Sequence, residues 1–309
     1  MSRPLKVLVV CSYNSGKLSP FVREQVNSLR NSSVSVDYYK VVGKGVLGYL
    51  KNYKKLKQQI RANEYDLIHA HYGLCGLLAN LQRSVPVITT FHGSDIHYLK
   101  NRMFSFVCSR LSAYNILTNK KQIELLKLSN SYSIVPCGVD LSEFYPMNKT
   151  EYRNKFNLDP SKQYILFGSS FDRKVKNYNL AKSATAKLKN VELLELKGYT
   201  KREVAALMNA VDAVLVTSFK ETGPLIVKEA LACNTPVVST DVGDVKDLIQ
   251  NVDNCYLTNY SPDDIAEKLA TVIKNNQKGV RCNGRNTVEK YELQATAKKV
   301  KIAYSGVTQ

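Results

Sequence analysis

Residues 218–244 read SFKETGPLIVKEALACNTPVVSTDVGD. The β-branched run Val214-Leu215-Val216 just before them predicts a buried strand. Thr222-Gly223-Pro224 then predicts a turn into a helix from about Pro224 to Cys233. Proline suits the first helical turn, and glycine lets backbone approach a ligand closely. The apolar run Pro236–Ser239 predicts the next strand, which ends in Asp241-Val242-Gly243-Asp244. The first N–H groups of the helix are unpaired and carry the positive end of its dipole, so the loop is an anion site suited to a diphosphate. Glu221 on the loop and Glu229 a little over one turn into the helix stand eight positions apart. Both carboxylates accept hydrogen bonds from hydroxyls.

The same alternation extends outward. Upstream, Lys6–Val10, Ser35–Tyr39, Leu67–His71, Val87–Phe91, Asn115–Leu117 and Ile134–Pro136 read as strands, and Ser19-Pro20 starts a helix between the first two. The segment MNKTEYRNKFNLDPSK, residues 147–162, is polar and is read as the junction between domains. Strands resume at Tyr164–Gly168, Val191–Leu194, Ala213–Val216, Pro236–Ser239 and Cys255–Leu257. Strands alternating with helices predict parallel sheets covered on both faces. The expected architecture is α/β, with two Rossmann-like domains whose sheets face an interdomain cleft. The domains are expected at residues 1–155 and 156–290, and ligands at the carboxyl ends of the strands. Residues 291–309 carry a final helix.

Glu221 and Glu229 resemble the two ends of the glutamate–seven residues–glutamate motif of the retaining family 4 glycosyltransferases, enzymes of the GT-B fold. The resemblance implies that Glu229 binds the nucleotide ribose and Glu221 the donor sugar. It implies that the backbone around Thr222, Gly223, Pro224 and Leu225 holds the diphosphate. After the strand Tyr164–Gly168, family members carry a Gly-Arg turn and then Lys-Gly. Lys176-Asn177 matches the second pair. Arg173 is the candidate for the arginine, displaced from the strand end where Ser169 and Ser170 stand. Thr90-Phe91-His92-Gly93-Ser94-Asp95 resembles the motif that places a histidine beside the donor sugar. This assigns His92 to a donor hydroxyl, partly through its backbone, and Asp95 to the acceptor. Asn14, Ser15 and Gly16, in the loop after the first strand, are the acceptor-loop candidates. In such enzymes the last helix commonly crosses back to the first domain.

The implied activity is a retaining, metal-independent hexosyl transfer from a UDP- or GDP-sugar to a hydroxyl of a carbohydrate or lipid-linked glycan in surface polysaccharide or glycolipid synthesis. No cofactor is implied, because the nucleotide sugar is a substrate. Two other readings stand beside it: another GT-B enzyme such as a sugar phosphorylase, or a non-catalytic carbohydrate-binding subunit that kept the fold. The first-strand loop SYNSGK is not G-x-G-x-x-G, so a dinucleotide fingerprint is absent. All four histidines fall within residues 69–97, but H-x-H and H-x4-H are not joined by Cys, Asp or Glu in a zinc pattern, and no metal site is expected.

The net charge is +18, and residues 1–150 hold 20 Lys+Arg against 8 Asp+Glu. An excess concentrated in one half points to an anionic partner for that half. Residues 47–61, LGYLKNYKKLKQQIR, place Leu47, Leu50, Tyr53, Leu56 and Ile60 at helical spacing beside five basic residues and no acid. This predicts one amphipathic helix suited to an anionic membrane surface. No nucleic-acid motif accompanies the charge, so nucleic acid is not an expected partner. Seven dispersed cysteines without a C-x-x-C pair predict reduced thiols. No apolar run approaches the roughly 20 residues that span a bilayer. The expectation is a cytoplasmic protein, peripheral on the inner face of the membrane.

Overall fold

The computed structural model describes residues 3–30, 34–129 and 131–308. The chain divides into two compact units. The first is Met1–Gly138 with Leu293–Gln309, and the second is Val139–Glu292.

In the first unit the strands are β1 (Leu5–Ser12), β2 (Val34–Val41), β3 (Leu67–His71), β4 (Val87–Phe91), β5 (Tyr114–Leu117) and β6 (Tyr132–Ile134). They form a parallel sheet in the order β2-β1-β3-β4-β5-β6. Val7, Leu8, Val9 and Val10 are all fully buried. The side-chain period of two explains why an unbroken apolar run is needed. Val7 and Val9 enter the core with Val22, Val26 and Leu29 of the helix Pro20–Arg30. Leu8 and Val10 enter the opposite core with Leu56, Ile60 and Leu78. Each such side chain contributes roughly 1.5–3 kcal/mol on burial. The last helix, Leu293–Thr308, lies on the first of these faces and adds Ala297, Val300, Ala303 and Tyr304 to it.

The second unit holds β7 (Gln163–Phe167), β8 (Val191–Glu195), β9 (Ala213–Val216), β10 (Val237–Thr240) and β11 (Tyr256–Thr258), all parallel, in the order β11-β10-β9-β7-β8. Tyr164 and Leu166 face one core, Ile165 and Phe167 the other. In each sheet the strand order reverses once, between β1 and β3 and between β7 and β9. The crevice at the carboxyl ends beside such a reversal is where open α/β sheets bind ligands.

Two expectations are corrected. The boundary between units falls at Gly138–Val139, not near residue 155. The polar segment is not a linker: its helix Lys149–Lys155 is bound into the second unit by ion pairs from Lys149 and Arg153 to the buried Asp212, at 2.6 and 2.7 Å. Residues 47–61 do not form one helix. They lie in Gly45–Leu50 and Tyr53–Ala62, separated at Asn52. The Asn52 side chain donates to Val42 O and Gly48 O and ties the break to the end of β2. Leu56 and Ile60 are buried in the core, so the apolar stripe of the second helix faces inward.

Candidate functional site

At the reversal in the second unit, two loops meet. The loop after β7 passes Ser169, whose side chain is buried, and reaches the turn Lys174–Lys176. Asn177 ends that turn at φ 56. Asparagine tolerates this left-handed conformation better than most residues, so it substitutes for the glycine of the family pattern. The loop after β9 carries Thr217 to Pro224. Thr217 Oγ1 donates to the carbonyls of Lys176 and Asn177 at 3.0 Å each, and Phe219 N donates to Val175 O at 2.9 Å. On this frame Lys176 Nζ pairs with Glu221 Oε1 at 2.5 Å, and Ser218 Oγ donates to the same oxygen at 2.8 Å. Arg173 is exposed and stands at the entry to the turn.

The helix Leu225–Ala232 follows, with Pro224 at its N-cap and no side chain capping it. Its first N–H groups and dipole therefore face the loop that Thr222, Gly223 and Pro224 form. Gly223 is packed so that an added Cβ would come 3.0 Å from Asp244 Oδ2. Gly243 (φ 63) crosses so close that its Cβ would meet Thr222 O at 2.7 Å. The two loops at the helix start thus touch through backbone, which only glycine permits. Glu229 sits on the same helix, partly buried. Sequence reasoning missed the group beneath it. Lys228 is 1% exposed, 3.6 Å from Asp244 Oδ2 and 4.7 Å above the Tyr291 ring. Burial holds the Asp244 carboxyl above its usual range, with Lys228 opposing. A buried lysine near a helix start has no sequence signal apart from its charge in an apolar run.

At the reversal in the first unit, a cavity of about 330 Å³ is lined among others by Asn14, Ser15, Lys17, Tyr49, Tyr72 and Asn101. Gly16 sits in its loop at φ 70 with open space where a Cβ would be. Asn14 lines the cavity, but its amide exchanges two 2.8 Å hydrogen bonds with the backbone of Gly43. Asp95 also borders it, yet the side chain is buried. It accepts from Gly73 N, His92 N and Gly93 N at 3.1, 3.1 and 2.8 Å. Burial pushes its carboxyl up to about 6 against those hydrogen bonds. Both residues fix loops around the cavity. The His92 backbone N–H, expected to serve a ligand, is committed to Asp95.

The His92 ring turns inward. Its Nε2 lies 3.0 Å from His71 Nδ1, and the rings stack at 5.2 Å. His71 Nε2 and His92 Nδ1 are buried without a hydrogen-bond partner among the described residues. Behind them His69 bonds Tyr304 Oη through Nδ1 and Thr90 Oγ1 through Nε2, both at 2.7 Å. Burial lowers the affinity of all three rings for a proton, to about 3 for His69 and His92. Tyr72 stands between this chain and the cavity, its ring 4.8 Å from that of His92. Its φ of 73 is an outlier for an aromatic residue. Such strain persists only where surroundings enforce it. Neither Tyr72 nor Tyr49 carries a sequence signal for this role. Among the described residues no group of three or more His, Cys, Asp or Glu is arranged to hold a metal ion.

Comparison with known proteins agrees with this architecture. Residues 3–143 match Glycosyltransferase Family 4, and residues 160–275 match Glycosyl transferases group 1. A sucrose-phosphate synthase from Thermosynechococcus elongatus superposes with a TM-score of 0.85 at 16% identity, over 98% of both chains. The Anabaena protein HepE, solved with UDP and glucose, superposes with a TM-score of 0.79 at 16% identity, over 98% of this chain and 100% of its own. The fold is therefore that of the GT-B glycosyltransferases. The chain belongs to glycosyltransferase family 4. An uncharacterized glycosyltransferase of Methanocaldococcus jannaschii is 26% identical over 84% of this chain and 80% of its own. The N-acetyl-alpha-D-glucosaminyl L-malate synthase of Bacillus anthracis is 24% identical over 66% of this chain and 64% of its own.

Proposed function

We propose that this chain transfers a hexosyl group from a nucleotide sugar to a hydroxyl of a carbohydrate or lipid-linked glycan, with retention at the anomeric carbon and without a metal. The observation that carries the reading is the Lys176–Glu221 pair beside the uncapped start of the helix Leu225–Ala232. A cation and a dipole end converge where a leaving diphosphate would gain charge. Preorganised charge of this kind supplies most of the rate enhancement in many enzymes. Glu221 faces the sugar and Glu229 the ribose. HepE, with UDP and glucose bound, supports a UDP-sugar as the donor. The hydroxyls and amides of the first unit's cavity suit a polyhydroxylated acceptor, held around Ser15 and Gly16.

Incubation with UDP- and GDP-sugars, followed by NMR of the released or transferred sugar, tests the reading. Turnover in EDTA with the donor's anomeric configuration kept is the expected result. An inverted product, or activity that EDTA abolishes and manganese restores, overturns the mechanism. Absence of both binding and turnover with every nucleotide sugar leaves the non-catalytic carbohydrate-binding subunit.

A further inference from the structure

The helix Leu99–Leu111 is built inside out. Its buried residues are Ser105, Cys108 and Ser109. Its exposed residues include Leu99 at 74%, Met103 at 68%, Phe106 and Val107. The inward face is small because the helix lies almost against the backbone of Gly73–Asn80. A Cβ on Gly73 would collide with Ser105 Oγ, and one on Gly76 with Cys108 Sγ. Close packing of small residues satisfies the inner side, so the large apolar side chains are not needed in the core. At 100° per residue, Leu99, Met103, Phe106 and Val107 fall on one stripe. Lys100 and Arg102 flank it, and Arg110 lies over the Phe106 ring at 4.9 Å. Between Asp95 and Glu124 the chain contains no acidic residue.

We propose that this stripe is a docking face for an anionic lipid bilayer, with Leu99, Met103, Phe106 and Val107 in the acyl boundary and Lys100, Arg102 and Arg110 at the headgroups. A contiguous apolar stripe on a soluble domain marks an interaction surface. An apolar stripe edged by cations is the pattern of helices that lie in the membrane interface. Charge selects the lipid over a second copy of this chain, because a symmetric contact would set these cations against their own equivalents. The docking role replaces the one expected of Leu56 and Ile60, which are buried. The same helix borders the first unit's cavity through Asn101 and Ser105, and Gly45–Leu50, which exposes Leu47, borders it through Tyr49. Docking therefore brings the cavity within about a helix diameter, roughly 10 Å, of the headgroups. On the transferase reading, that position favours a lipid-linked acceptor.

The chain contains no tryptophan, so Met103→Trp supplies a single reporter. Vesicles of equal phosphatidylglycerol and phosphatidylcholine should shift its emission to the blue, and pure phosphatidylcholine vesicles should not. Leu99→Gln with Val107→Gln in that background should lower vesicle partitioning at least tenfold, with the thermal unfolding midpoint unchanged. Lys100→Gln with Arg102→Gln should weaken binding chiefly at low salt. No sugar is needed, so failure here is separate from failure of the transferase reading. Binding to anionic vesicles without a blue shift would place the contact elsewhere and overturn the proposal. So would the absence of vesicle binding, or a dimer in sedimentation equilibrium that the Leu99/Val107 variant dissolves.

Discussion

Lys176 Nζ and Glu221 Oε1 lie 2.5 Å apart and join the loop after β7 to the loop after β9, across the reversal in the second sheet. Both side chains are largely removed from solvent, at 12% and 16% exposure. The pair is therefore held in place by the fold, with Ser218 and the two Thr217 hydrogen bonds as its frame.

Lys176→Met should lower turnover of the nucleotide sugar by about 10²–10³-fold, the range for removing one preorganised charge-stabilising group. It should also cost about 1–3 kcal/mol of stability, because Glu221 then stands partly buried without its cation. Glu221→Gln in the same background should recover much of the stability and none of the turnover. Unfolding midpoints and donor-hydrolysis rates of the two variants and the parent check this. Equal activity of Lys176→Met and the parent would remove the lysine from the diphosphate.

Glu229→Ala should weaken UDP affinity by roughly 10–150-fold, as the loss of a charged hydrogen bond worth about 1.5–3 kcal/mol requires. Calorimetry with UDP, which lacks the sugar, isolates the ribose contact. Glu221→Ala should leave UDP affinity nearly unchanged and weaken the intact nucleotide sugar. The opposite ordering would exchange the roles of the two carboxylates.

The strands were legible because parallel sheets buried on both faces demand unbroken apolar runs, and Val7–Val10 or Ala213–Val216 admit little else. The resemblance to family 4 singled out Glu221, Glu229 and Lys176, and Lys176 and Glu221 lie paired in the structure. What composition hid was polarity used for packing. Lys149 and Arg153 look like linker residues, yet they anchor a helix to Asp212. Ser105 and Ser109 look like the outer face of a helix, yet they are its inner face, because Gly73 and Gly76 admit close approach. Asn52 breaks an otherwise regular helical pattern through side-chain bonds to residues four and ten positions before it. The strained backbone of Tyr72 follows from tertiary contacts alone.

Two glycine substitutions separate strain from contact. Gly16→Ala meets only the cost of a positive φ, about 1 kcal/mol, since no atom stands where its Cβ would be. Gly243→Ala meets the same cost and also drives Cβ into Thr222 O, so it should cost about 2–3 kcal/mol or displace the Thr222-Gly223 turn. Its UDP affinity should fall at least tenfold, while that of Gly16→Ala should match the parent. Unchanged UDP binding by Gly243→Ala would show that the turn does not hold the diphosphate.

Acid should destabilise the first unit through its histidines. His69, His71 and His92 are held neutral by burial, with proton affinities well below the usual value near 6.5. The unfolded chain therefore binds more protons as pH falls through 6.5 toward about 3, and stability is lost over that window. Asp95 acts in the opposite sense. Its carboxyl is raised to about 6, so its contribution is present below its unfolded value near 4 and lost as pH rises through 6. Near pH 5 the histidines take up protons on unfolding while Asp95 releases one, and the three rings outnumber the single carboxyl. Stability should then fall on acidification. His71→Gln should flatten that slope. Hydrogen exchange of the β3 and β4 amides between pH 7 and 5 reads the first unit directly, and a slope that His71→Gln leaves unchanged would show that this ring is protonated in the folded chain.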